Sequence, residues 1–136
     1  PESRVAFLFS KVGLAGCDMG ACFLLPRLIG LGRATELLLS GRFMSAEESL
    51  AWGFYSRLVP TNTLHDSAIT LAAEYAAGPV FAHGVTKRAI NSELSMGLPE
   101  ALQSEAIAQA LCMGTNDFRR AYEAFLAKQK PIFEGN

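Results

Sequence analysis

The chain has 136 residues, 50% of them hydrophobic, and a formal net charge of −1. No lysine–arginine stripe offers a footprint for nucleic acid, and no apolar run approaches the roughly 20 residues that a membrane-spanning helix needs. One modest domain with a real core fits this length, yet so apolar a short chain points to surface covered by another copy or by further polypeptide.

Val5 to Phe9 (VAFLF) is β-branched and aromatic and predicts a buried strand. Too few strands follow to complete a sheet, so it would pair with strands outside this chain. Gly13, Gly16 and Gly20 punctuate a loop. Met19 to Ile29 then predicts a helix with Leu24, Leu25 and Leu28 on a buried face, Pro26 as a kink and Gly30 as its stop. Gly32 to Ser40 predicts a second helix. Ser45-Ala46-Glu47-Glu48 has the pattern of a capping box, opening a helix that runs to Gly53. Phe54 to Val59 predicts a short strand closed by Pro60.

The remainder reads as helical. Leu64 to Ala77 is alanine-rich with apolar spacing of three and four. Pro79 to about Glu93 and Pro99 to Leu111 follow as further helices. Asp117 to Lys128 closes the chain, with Phe118, Tyr122, Phe125 and Leu126 on one face. The expected organisation is therefore residues 1–60 as a core portion and residues 61–136 as a helical oligomerisation region.

Few residues are candidates for chemistry. Cys17, Cys22 and Cys112 form no C-x-x-C pair, which argues against a metal site and for reduced, partly buried thiols in a cytoplasmic protein. The Gly13, Gly16, Gly20 spacing matches neither dinucleotide-binding nor phosphate-binding fingerprints, and Asp18 would place a negative charge where a phosphate should sit. His65 and His83 join no nucleophile signature. Asp18 remains. Ahead of an apolar helix it suits an N-cap. With Leu14, Cys17, Met19 and Phe23 around it, it also suits a desolvated base. Spacing alone leaves both readings open.

The residues Lys11 to Gly30, followed by GRATELLLSGRFMSAEESLAWGFYSRLVP, resemble the C-terminal half of the crotonase superfamily, the enoyl-CoA hydratases and isomerases. The match runs nearly continuously for about sixty residues, through LPRLIG, A-x-E-L-L-x-S-G, the S-A-E-E helix and W-G-F-Y-S-R-L-V-P. The closing FLAKQKPIF is similar to the family's F-x-x-K-R-x-P-x-F. The resemblance implies an α/β crotonase-like fold of ββα repeats with a helical trimerisation region. It further implies acyl-CoA thioester substrates, two backbone amides stabilising a thioester enolate, and self-association as a homotrimer or hexamer. Coenzyme A would arrive with the substrate, and no other cofactor or metal is implied. The expected location is cytoplasmic, or the mitochondrial matrix in a eukaryote.

Many hydratases carry a glutamate in the segment matching Phe9 to Lys11, and this chain has none there. Asp18 falls where dienoyl-CoA isomerases and an aryl-CoA dehalogenase place a catalytic aspartate. The resemblance thus implies Asp18 as the catalytic residue, with Leu14, Gly16, Cys17, Met19, Phe125 and Lys128 as substrate-binding candidates. Lys128 matches a lysine that contacts coenzyme A phosphates of a neighbouring subunit, and equally suits a solvated helix end. The enolate-binding amides and a second glutamate belong to the family's N-terminal half, so the chain is expected to be incomplete alone. The alternative expectation is a non-catalytic assembly module.

Overall fold

The structure is a computed structural model describing residues 1–136. The chain forms two compact units, Pro1–Ser67 and Ala68–Asn136.

In the first unit, β1 (Arg4–Val5) pairs antiparallel with β2 (Met44–Ser45), Arg4 opposite Ser45 and Val5 opposite Met44. The predicted strand over Val5 to Phe9 is thus cut short. β2 offers only two partners, so the chain leaves the ladder after Val5 and winds into a 3₁₀ turn at Leu8–Val12. Val5, Ala6, Phe7 and Phe9 of the predicted strand are half-buried rather than buried, and Leu8 is exposed.

Two helices follow, α1 (Ala21–Ile29) and α2 (Leu31–Ser40), joined at Gly30. α1 continues through Pro26, whose only missing donation is to the Cys22 carbonyl. The face it buries is Leu25 and Ile29; the predicted Leu24 and Leu28 are exposed instead. Leu25 and Ile29 pack with Ala34, Leu37, Leu38 and Met44, and Val5, Phe7, Trp52 and Phe54 close the cluster's edge. Leu37 is 0% exposed, so Leu37→Ala should cost about 2–5 kcal/mol.

The capping box forms as the sequence predicts. The Ser45 hydroxyl accepts from the Glu48 amide at 3.1 Å, and Glu48 Oε2 accepts from the Ser45 amide at 2.9 Å, opening α3 (Ala46–Ala51). Arg42 pins the same corner: Nη1 reaches Glu48 at 3.0 Å and Nε reaches Glu36 at 2.6 Å. Phe54 to Val59 is not a strand. The Phe54 and Tyr55 amides both donate back to the Ser49 carbonyl, at 2.8 and 3.0 Å, which wraps the segment against α3.

α4 (Leu64–Ala76) carries the chain across the unit boundary. The second unit continues with α5 (Val80–Glu93), α6 (Leu98–Met113) and α7 (Asn116–Leu126). Thr115 caps α7 by accepting from the Phe118 amide at 3.2 Å. The only fully buried residue of this unit is Asp117. Phe118, Tyr122, Phe125 and Leu126 form the expected apolar face of α7, and all four are exposed.

Candidate active site

Asp18 sits two residues before the cap of α1, not at it. Met19 and Gly20 both hold left-handed backbone, φ 49° and 83°, so helical geometry begins only at Ala21 and Gly20 is the N-cap. The Asp18 side chain makes no cap bond. Its Oδ1 accepts from the Met19 amide at 2.8 Å, and its carbonyl accepts from the Ala21 amide at 2.9 Å. The helix-cap reading of this aspartate is corrected accordingly.

Asp18 lines a cavity of about 340 Å³ in the first unit. One wall comes from Ala6, Phe7 and Phe9, where the chain leaves β1. A second comes from Ala21, Leu24, Leu25 and Leu28 on α1, and Phe54 after α3 completes it. Every other lining side chain is apolar, which makes Asp18 the sole ionisable group there. Leu24 and Leu28, 47% and 53% exposed, face this cavity because Leu25 and Ile29 occupy the core side of α1. Asp18 is itself exposed, so the desolvated setting expected of it is not formed, and its carboxylate can exchange a proton with an apolar guest held against these walls.

Of the predicted binding residues, Met19 lines the cavity beside Asp18. Leu14 lies outside its lining and is exposed; its amide donates to the Phe9 carbonyl at 3.0 Å. Gly16 packs against Leu38, where a Cβ would stand 2.8 Å from the carbonyl oxygen. Its small size lets the loop approach α2. Cys17 and Cys22 are free and exposed, not partly buried, and Cys112 is half-buried. Partial desolvation, and then the neighbouring Cys17, push the Cys22 thiol up. Phe125 and Lys128 belong to the second unit, where Lys128 is exposed and ends α7 in left-handed backbone, φ 53°. Phe7, Phe9 and Phe54 line the cavity without having been expected there, because they read as strand residues. Only their aromatic recurrence could have signalled a wall.

The enoyl-CoA hydratase/isomerase family model matches residues 2–136, and the chain belongs to that family. It is 40% identical over 134 residues to the 1,2-epoxyphenylacetyl-CoA isomerase of Escherichia coli, covering 98% of this chain and 51% of that protein. A candidate enoyl-CoA hydratase from Streptomyces coelicolor superposes with a TM-score of 0.95 at 43% identity, covering 98% of this chain and 48% of that one. An enoyl-CoA hydratase from Bacillus anthracis gives 0.92 at 30% identity, covering 98% and 52%. The crotonase-like fold expected from the sequence is thereby shown. The chain spans about half the length of these relatives.

Proposed function

We propose that this chain is the C-terminal half of an acyl-CoA isomerase or hydratase in which Asp18 moves the proton. The observation that carries this reading is the single carboxylate in an otherwise apolar cavity. The acyl group of a coenzyme A thioester occupies that cavity. An Asp18 oxygen takes a proton from an acyl carbon, and the released electron pair passes into the thioester enolate. The Asp18 acid, exposed and exchanging with water, then gives a proton to another carbon of the chain, so the double bond migrates. Syn-addition of water uses two carboxylates, and Phe9 to Lys11 supplies none. One-base isomerisation therefore fits this wall better than hydration. The name of a 30% identical relative, the trans-2-decenoyl-[acyl-carrier-protein] isomerase of Streptococcus mutans, supports that choice, and the Escherichia coli relative is named as an isomerase of an epoxide. The amides that hold the enolate come from the family's N-terminal half, and coenzyme A is the only carrier required.

Steady-state turnover of enoyl- and dienoyl-CoA by the protein of the relatives' full length tests the proposal. Asp18→Asn should lower kcat by about 10²-fold or more. Turnover equal to the parent's would remove Asp18 from the chemistry.

A second role attaches to the helical unit. Its exposed apolar side chains, including Ile107, Leu111, Phe118 and Phe125, support the reading that it assembles copies of the chain into a homotrimer.

A further inference from the structure

We propose that Cys17 and Cys22 form a reversible disulfide under peroxide, closing a ring around Asp18 that slows turnover. The effect on turnover rests on the reading of Asp18 as the proton-transferring carboxylate.

Asp18 to Ala21 form a tight turn. The Asp18 carbonyl accepts from the Ala21 amide at 2.9 Å, and both central residues hold left-handed backbone, Met19 at φ 49° and Gly20 at φ 83°, ψ 7°. That is the pattern of a type I′ turn, which reverses the chain. Cys17 and Cys22 are the residues just outside it, one on each arm. Facing residues of a reversed chain have Cα atoms about 4.5–5.5 Å apart, and a disulfide spans about 4.4–6.8 Å. Both thiols are free and exposed. They also sense each other, since partial desolvation and then Cys17 push the Cys22 thiol up.

Both arms are anchored. Gly16 packs on Leu38, where a Cβ would stand 2.8 Å from the carbonyl oxygen, and α1 is seated in the core by Leu25 and Ile29. The movement that brings two sulfurs into a bond therefore falls on the turn between them, which carries Asp18. Misplacing a reacting group by an ångström costs about 10²-fold in rate.

Hydrogen peroxide is the oxidant. One cysteine thiolate attacks the O–O bond and keeps one oxygen as a sulfenic acid, while the other oxygen leaves as water. The second thiolate attacks that sulfur, the S–S bond forms and a second water leaves. The two thiols give up two electrons and two protons in all, and the peroxide oxygens take them. A dithiol such as dithiothreitol reverses the step by exchange.

Mass and rate test this together in the full-length protein, with and without brief peroxide treatment. Trypsin releases Val12–Arg27 as one peptide that holds both cysteines. After peroxide this peptide should be two hydrogens lighter, kcat on enoyl- or dienoyl-CoA should fall about tenfold or more, and dithiothreitol should restore both. Cys22→Ser cannot close the ring. Untreated, it should keep the parent's kcat and KM within about twofold, and peroxide should cost it no more than about twofold of reversible activity. A peptide that never loses the two hydrogens would overturn the proposal, and this readout needs no variant to fold. A closed ring with the reduced protein's kcat would overturn it, as would reversible inhibition of Cys22→Ser as deep as the parent's. Asp18→Asn keeps the two ideas apart. If it turns over like the parent, the role of Asp18 fails while the ring is judged by the peptide's mass. If it is dead while the ring-closed parent is fast, only the switch fails.

Discussion

Asp117 receives three donors on its carboxylate: the Glu134 and Gly135 amides and the Arg120 guanidinium, each at 2.8 Å. It is 3% exposed. Burial alone pushes its pKa up, but the two amides and Arg120 outweigh that and hold it below the ordinary 3.8. The stability this carboxylate adds is present above that ordinary value and is lost as pH falls through the lower folded-state one. Glu48, held down first by Arg42 and then by the Ser45 amide, loses its contribution in the same direction. Asp117→Asn should therefore lower the melting temperature at neutral pH and flatten, without abolishing, the fall in stability on acidification. Parent and variant with parallel acid limbs would contradict this. In the sequence Asp117 reads only as the first residue of a helix, because two of its partners lie 17 and 18 positions away. Asp18 was legible as the acid of interest, since no other acid lies near. Its failure to cap α1 was not, because nothing in Met19 announces left-handed backbone.

The elements that were legible are those whose cause is local. Ser45 and Glu48 satisfy each other's amides within four residues, so the capping box could be read directly. Removing it with Ser45→Ala should cost about 0.5–2 kcal/mol in chemical denaturation; an unchanged midpoint would contradict the cap's role. The strands were misread for the opposite reason. VAFLF has the composition of a buried strand, but pairing depends on a partner, and β2 supplies two residues. Phe54 and Tyr55 are drawn back to Ser49, and their alternation carried no sign of it. Gly16 is a third case. It was expected at the substrate, and it packs instead on Leu38. Gly16→Ala should cost about 1–3 kcal/mol by overpacking and lower turnover as well, since the loop that holds Asp18 must move. A variant with the parent's stability and activity would show that the close approach is not needed.

At the scale of the whole molecule, the apolar excess visible in the composition is located by the structure. Buried apolar side chains all lie between Leu25 and Ala46, while Leu98, Ile107, Leu111 and Phe125 of the helical unit are exposed. Burying such side chains is worth about 1.5–3 kcal/mol each. Sedimentation equilibrium should therefore find self-association in the full-length protein, and charged substitutions at Leu111 and Phe118 should weaken it; a monomer at all concentrations would contradict the assembly role. In the proposed chemistry Asp18 exchanges protons with the acyl group. The most direct test is mass spectrometry of an acyl-CoA incubated in D2O with the full-length protein and with its Asp18→Asn variant. Deuterium should enter the acyl chain with the parent and not rise above background with the variant, although the variant still binds the thioester. Equal deuterium incorporation by both proteins would contradict it.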